Sequence, residues 1–273
     1  MTDLGDLKKI SEHLPIRDEK MPVVFVGHGS PMNGIEDNEF SLRWKEMGKQ
    51  FPLPAAVLCI SAHWYTRGTF ITAMNKPATI HDFYGFPQGL SNVLYPAPGD
   101  PKLARETSGL ITKATVGLDH EWGLDHGCWS VVRHMYPDAA VPVLQLSIDG
   151  TRSPQWHYEL ASELQILRSK GVLILGSGNM VHNLRMLDWQ NPDNGFDWAI
   201  EMNTTFKRLI EHAEYEKLFN YPNLGNAAKL SVPTPDHYLP LVYVLGLKGK
   251  NEAPIFFNDK IVMGSVSMTS VRF

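Results

Sequence analysis

Two short, continuously apolar segments constrain the fold of this chain more than any other feature. Residues 21–26 and 55–60 are rich in aliphatic and β-branched side chains and are bounded by glycine or proline. Such runs are typical of strands that are buried on both faces of a sheet. Residues 37–50, between them, have the apolar spacing of a helix. Because a strand–helix–strand crossover is right-handed, the two strands are predicted to lie parallel in one sheet.

The rest of the chain continues this pattern. The apolar spacing predicts further strands at 69–74, 141–148, 171–175, 255–257 and 265–271, and helices at 101–113, 128–135, 154–169, 196–212, 215–220 and, after a proline-rich approach from 233, through 245. We therefore predict a single α/β domain over residues 21–273, with a central mixed sheet and helices on both faces (three layers, α/β/α). Residues 1–20 are predicted to be an N-terminal extension with a short amphipathic helix over 4–14.

Composition excludes several classes of partner. The chain has 273 residues, a net charge of −4 and no apolar run near the ~20 residues that a spanning helix needs. We therefore expect neither a nucleic acid nor a membrane as partner. The N-terminus lacks the apolar core of a signal peptide, so we expect a cytoplasmic protein. Its two cysteines, Cys59 and Cys128, are expected to be reduced core thiols, and two are too few for a cysteine-ligated zinc site. The sequence does not indicate an oligomeric state.

Histidines are the chemically informative residues. Of 11, five stand at junctions between a predicted strand or helix and a loop: His28, His63, His126, His182 and His237. His28 and His63 follow the first two strands, and the carboxyl ends of parallel strands share one edge of a sheet, where α/β folds bind ligands. The five together predict a mononuclear metal site held by imidazoles, with one or two histidines left for proton transfer.

The loop 75–100 is unusually long for a compact domain and carries several aromatic residues around His81. It is predicted to be a pocket wall or lid, the alternative being a packed surface loop. Residues 176–178 (Gly-Ser-Gly) lack the third glycine and the Lys-Ser/Thr pair of a phosphate loop. Neither an HExxH helix nor a G-x-S-x-G nucleophile elbow is present, so neither a zincin protease nor a serine hydrolase is favoured.

Five motifs carry a resemblance to a known family. They are GHGSP at 27–31, SAHW at 61–64, DHG at 125–127, GSGNMVHNL at 176–184 and TPDHYLPL at 234–241. In this order they resemble the LigB-type extradiol ring-cleavage dioxygenases, and within them the bacterial 4,5-DOPA dioxygenase group. The resemblance covers residues 21–273.

The resemblance implies roles for the five histidines. His28, His63 and His237 are expected to ligate the metal. His182 is expected to act as the acid–base catalyst and to lie close enough to be a fourth ligand. His126 is expected to face the substrate and to take part in catalysis.

Two further substrate contacts, His81 and Tyr238, are also predicted. Lignin-degrading relatives have a glutamate as third ligand, whereas here Asp236, next to His237, is the only nearby carboxylate. Asp236 is therefore the alternative to His237 as third ligand. Asp236 and Thr234 are also candidates for capping the helix that follows.

The implied reaction is 4,5-cleavage of a catechol such as L-DOPA by O2 at one divalent non-haem metal. Fe(II) is expected for turnover because zinc has no accessible redox change, although a histidine-rich site also binds Zn(II) well. The alternatives are a zinc-dependent hydrolase and a non-catalytic metal-binding protein on the same fold.

Overall fold

The structure is a computed structural model that describes residues 13–273. In chain order its elements are β1 (Val23–Gly27), α1 (Glu39–Gln50), β2 (Ala56–Ser61), β3 (Tyr65–Thr66), β4 (Thr69–Thr72), α2 (Gln88–Ser91), α3 (Pro101–Leu110), β5 (Val116–Asp119), α4 (His126–Met135), β6 (Val143–Gln145), β7 (Ile148–Asp149), α5 (Pro154–Ser162), α6 (Gln165–Ser169), β8 (Val172–Gly178), α7 (Asp197–Glu211), α8 (Tyr215–Phe219), α9 (Asn226–Ser231), α10 (Leu239–Leu247), β9 (Ile255–Phe257), β10 (Ile261–Val262), β11 (Val266–Ser267) and β12 (Ser270–Arg272). Short 3-10 turns occupy Pro31–Gly34, Leu184–Met186 and Tyr221–Leu224.

A six-stranded mixed sheet in the order β6-β2-β8-β1-β12-β9 is the centre of the fold. The first four strands are parallel, and β12 pairs antiparallel with both β1 and β9. Ser177 in β8 is the register partner of Val26 in β1 and of Ser61 in β2. The segments that follow β1, β2 and β8 therefore leave the sheet at one common edge.

Helices cover both faces of the sheet. In β1, Val23 and Phe25 belong to a core formed with α3, α5, α7 and α10, whereas Val24 and Val26 belong to a second core formed with α1 and α4. Successive side chains of a strand point to opposite faces, so these continuously apolar strands bury both sides. The predicted three-layer α/β/α architecture is confirmed.

Several predicted elements are shorter or divided in the structure. The predicted strand 141–148 splits because the chain leaves the main sheet after Gln145 and pairs with β3 through β7. The predicted helix 154–169 breaks at Glu163 and Leu164, whose N–H groups bond three residues back rather than four. The strand predicted at 171–175 instead continues to Gly178, and residues 265–271 form two short strands. The small strands β3, β5 and β10 and the helices α2 and α9 have no sequence prediction.

The N-terminal extension is described only from residue 13, so most of the helix predicted over 4–14 lies outside the described residues. Arg17 holds this segment on the domain, donating from its backbone to Ser169 O (2.7 Å) and from Nη1 to Leu53 O (3.1 Å). Cys59 and Cys128 are buried free thiols, as predicted. Within residues 13–273, no helix combines the length and the apolar character needed to cross a membrane.

Candidate active site

Five histidines meet at the edge of the sheet where β1, β2 and β8 end. His28, His63, His126, His182 and His237 form a continuous cluster, with neighbouring ring centroids 3.5 to 5.5 Å apart. His28, His126 and His237 are buried. These are the five histidines that the sequence analysis selected from 11.

The ends of β1 and β2 place the first two imidazoles. His28 follows β1 directly, and its backbone N–H donates to Gly178 O at the end of β8 (3.1 Å). Gly29 then turns the chain with a φ of +63°, a conformation that glycine adopts without strain. His63 lies two residues beyond β2, where its N–H contacts Ser61 Oγ (3.3 Å).

His126 is the first residue of α4. Asp125 caps that helix by accepting the N–H of Cys128 (3.1 Å). The same buried carboxylate accepts the hydroxyl of Ser61 and the amide of Gln145, both at 2.6 Å. Burial raises the pKa of Asp125. This network ties the start of α4 to the ends of β2 and β6.

The end of β8 places His237 and His182. A Cβ on Gly178 would lie 2.1 Å from His237 O, so only glycine allows the two backbones to come this close. The N–H of Asn179 then donates to His237 O (2.9 Å). His182, three residues further, stacks on His237 with ring centroids 3.5 Å apart.

In His28 and in His237, the ring nitrogen Nδ1 (called here the outer nitrogen, with Nε2 as the inner one) has its own oxygen acceptor. His28 Nδ1 lies 3.0 Å from Ser177 Oγ, and the Ser177 hydroxyl donates to Gly127 O (2.5 Å). Since its proton is used there, Ser177 accepts from His28 Nδ1–H. His237 Nδ1 donates to Asp236 Oδ2 (2.5 Å). Asp236 thus contacts the outer nitrogen of His237 and does not cap α10, whose first turn has no side-chain cap.

A single carboxylate, that of Asp82, contacts both His63 and His126. His63 Nδ1 lies 3.3 Å from Asp82 Oδ2, and His126 Nδ1 lies 3.0 Å from Asp82 Oδ1. Burial raises the pKa of Asp82, but contacts with His126 and His63 outweigh it and hold the pKa at about 2. Asp82 is therefore ionised at neutral pH.

The inner nitrogens fit a metal ion. His28 Nε2 and His63 Nε2 face each other 3.2 Å apart, and in the Nδ1–H tautomer each of them carries a lone pair. Two nitrogens bound at ~2.0–2.1 Å to a tetrahedral ion would be roughly 3.3 Å apart. Burial, followed by repulsion from neighbouring imidazoles, lowers the pKa values of His28 and His63, so both present the neutral form that binds metal.

The donor atoms fall into two groups. His28, His63 and His126 offer nitrogens that all lie within 4.8 Å of one another, and His182, Asp236 and His237 form a second such group. The rings of His28 and His63 lie 5.3 and 5.0 Å from that of His237, so the two groups adjoin.

Tyr238 is not placed to bind substrate, and that prediction is wrong. Its side chain is fully buried in the core between Phe206 and Tyr221, and its hydroxyl donates to Leu218 O (3.1 Å). Tyr238 follows His237 directly in the chain, but its side chain extends into the core and away from the histidine cluster.

His81 packs against residues of its own loop and of α4. Its Nε2 contacts Val93 O (2.9 Å), and its ring packs against Phe83 and Trp129. Phe83 in turn packs edge-on against His126, with ring centroids 5.7 Å apart. Contact of His81 with substrate stays a prediction.

Sequence reasoning missed the residues that hold the histidines. In the sequence, Asp82 directly follows His81 in the aromatic loop, and Ser177 lies between the two glycines of a weak motif. A polar residue in an aromatic loop and a serine between two strand glycines were the available signals. Neither identifies its histidine partner, because the partners are far apart in the chain.

Comparison with known proteins agrees with this geometry. Residues 22–273 match the family model described as the catalytic LigB subunit of aromatic ring-opening dioxygenase. The chain is 46% identical over 257 residues to the 4,5-DOPA dioxygenase extradiol of Escherichia coli K12, covering 93% of this chain and 94% of that protein. It is 33% identical over 263 residues to the Beta vulgaris protein of the same name, covering 91% and 95%.

A solved structure has the same fold. The crystal structure of an uncharacterised protein from Escherichia coli K12 superposes with a TM-score of 0.82 at 42% identity, covering 93% of this chain and all of that one. The chain therefore belongs to the LigB family of aromatic ring-opening dioxygenases, which confirms the family and the extradiol dioxygenase activity predicted from its motifs.

Proposed function

We propose that this enzyme cleaves a catechol such as L-DOPA at the 4,5 position, using O2 at one non-haem metal ion bound by the histidine cluster. The observation that carries the proposal is the cluster itself, in which five imidazole rings adjoin and the Nε2 atoms of His28 and His63 face each other 3.2 Å apart. The names of the relatives support L-DOPA as a substrate.

His28, His63 and His237 are the proposed ligands. Nδ1 of His28 and of His237 has a hydrogen-bond acceptor, and Nδ1 of His63 lies 3.3 Å from the Asp82 carboxylate, so Nε2 is the proposed metal-binding nitrogen of each ring. When bound, Fe(II) would supply the redox chemistry and the coordination sites for catechol and O2, whereas Zn(II) would supply no redox change. Outer-nitrogen acceptors of this kind fix the ring orientation of metal-binding histidines.

The two remaining histidines are proposed to handle the substrate. His182 stacks on His237, and an imidazole at that position can take the proton that a catechol loses on binding. His126 lies beside His63 with ring centroids 4.0 Å apart and is proposed to orient the diol. Phe83, which packs edge-on against His126, is proposed to supply an apolar contact for the ring of the substrate.

Oxygen uptake tests the proposal. Protein loaded anaerobically with Fe(II) should consume O2 and form a yellow semialdehyde when given L-DOPA, and the same protein loaded with Zn(II) should do neither. If the iron-loaded protein formed no ring-cleaved product from L-DOPA or from other catechols, the proposal would fail. Ester hydrolysis by the zinc-loaded protein without O2 uptake would instead favour a hydrolase.

Metal content separates the roles of the histidines. His237→Ala should lose bound metal, whereas His182→Ala should keep the metal and lose turnover. His126→Ala should also keep it. Because His28, His63 and His126 each offer a ring nitrogen within 4.8 Å of the others, metal loss in His126→Ala with retention in His237→Ala would reassign the third ligand.

A further inference from the structure

Asp82 differs from the other acceptors at the site because it contacts two histidines. His28 and His237 have separate partners, Ser177 and Asp236, whereas His63 and His126 share one carboxylate. On the proposed function, one of these two is a metal ligand and the other faces the substrate.

The Asp82 carboxylate is also held by the backbone at the start of α4. Asp82 Oδ1 also accepts the backbone N–H of His126 (2.9 Å), which is the first amide of α4. The N-terminus of a helix stabilises a negative charge, so this amide favours the ionised carboxylate. Asp82 is 19% exposed, so its contacts are largely shielded from water.

The two residues next to Asp82 in the loop 75–100, His81 and Phe83, hold this part of the loop in place. His81 bonds to Val93 O within the same loop, and Phe83 packs on His126. Residues 81–83 therefore close the loop onto the cluster, with Asp82 as the polar contact in the middle.

Both contacts are at ion-pair distance, and within residues 13–273 His126 Nδ1 has no aligned hydrogen-bond partner. A carboxylate offers only lone pairs and a negative charge, so it favours a proton on each ring nitrogen that faces it. The Nδ1–H tautomer, with the lone pair on Nε2, is therefore the favoured form of His63 and of His126. Without it, either ring is free to move its proton to Nε2. His63 would then present an N–H to the ion, and His126 would present a donor where the wild-type ring presents an acceptor.

We propose that Asp82 is a positioning residue that fixes the Nδ1–H tautomer of His63 and of His126 together, and so couples the loop to both metal binding and substrate orientation. The roles of the two histidines rest on the proposed function. Their tautomers do not, so the two ideas fail separately.

Imidazole NMR tests the proposal directly. In ¹⁵N–¹H spectra of the Zn(II)-loaded wild-type protein, both His63 and His126 should carry the proton on Nδ1. In Asp82→Asn the amide can accept from one ring but turns its NH₂ group toward the other, so at least one ring should change its tautomer. Zn(II) affinity, measured by competition with a chelator, should fall about 10- to 100-fold in Asp82→Asn and in Asp82→Ala, as is typical for loss of an outer partner.

Asp100→Asn is the matched control. Asp100 lies at the end of the same loop and contacts an imidazole, His13 Nε2, at 2.7 Å, but outside the cluster. Asp100 is the N-cap of α3, and asparagine also caps helices, so the start of α3 should be preserved. This variant should leave Zn(II) affinity and the signals of His63 and His126 unchanged.

Two results would overturn the proposal. One is a proton on Nε2 of His63 or His126 in the wild-type protein, which needs no variant to fold. The other is an Asp82→Asn protein with wild-type melting, unchanged tautomers and Zn(II) affinity within twofold of wild type. If the tautomers respond as expected but iron-loaded wild type cleaves no catechol, the proposed function fails and the role of Asp82 stands.

Discussion

Gly178→Ala tests how the end of β8 sets the position of His237. The added Cβ would lie 2.1 Å from His237 O, whereas an ordinary contact is at least 3.4 Å. The His237 backbone must therefore retreat by about 1.3 Å, which also strains the bond from Asn179 N–H to the same oxygen. Both partners are backbone, so no side-chain rotation relieves the clash.

The expected cost has two parts. Overpacking at a buried contact lowers the free energy of unfolding by about 1–3 kcal/mol. Displacement of a site residue by ~1 Å costs on the order of 100-fold in turnover. We therefore expect Gly178→Ala to fold, to denature at a lower urea concentration and to bind Zn(II) more weakly. Its iron-loaded form should cleave catechol about 100 times more slowly.

Gly109→Ala is the control. Gly109 lies in α3, and apart from its chain neighbours and the helix's own backbone, no atom of the described residues lies within 4 Å of where its Cβ would be. Alanine there should be neutral or stabilise the helix by roughly 0.5–1 kcal/mol, with unchanged Zn(II) affinity and turnover. The close-approach argument is refuted if Gly178→Ala equals wild type in denaturation midpoint and Zn(II) affinity.

Two further predictions concern buried groups away from the cluster. Burial lowers the pKa of His157 from 6.5 to about 4. The unfolded chain therefore binds more protons between these values, and about 3 kcal/mol of stability present above pH 6.5 should be lost as the pH falls to 4. His157→Gln should remove that part of the pH dependence in urea titrations at each pH, and a wild-type slope would contradict the assignment. Tyr238→Phe should lower the free energy of unfolding by about 1 kcal/mol, through loss of the bond to Leu218 O, and leave the KM for catechol unchanged. A changed KM would restore Tyr238 as a substrate contact.

The architecture was predictable because the apolar pattern of the parallel strands is local. Residues 21–26 and 55–60 are apolar at every position, and that pattern alone indicates strands buried on both faces. Where the prediction was wrong, tertiary pairing decided the structure. The divided strand at 141–148 is an example, because nothing within those residues shows that the chain changes sheets after Gln145.

The histidines of the site were predictable for a related reason. Each stands at the end of an element whose direction the sequence indicates, so topology brings them to one edge. Their partners were not predictable in this way. Asp82 is 44 residues from His126 in the chain, and Ser177 is 149 residues from His28. Such pairs depend on the three-dimensional path of loops, for which the sequence carries no periodic signal.

Residues 176–178 show why a glycine motif needs its structural context. A Gly-Ser-Gly sequence after a strand is a weak indication of a phosphate-binding loop. In the structure, however, all three residues belong to β8 and pair with β1, and the first two also pair with β2. The two glycines allow neighbouring backbone to come close to β8. A Cβ on Gly176 would lie 2.5 Å from Pro240 O, at the start of α10. Ser177, between them, accepts Nδ1–H of His28. Because these backbone groups belong to the sheet ladder, the motif packs a helix and orients a histidine, and it offers no set of free amides for an anion.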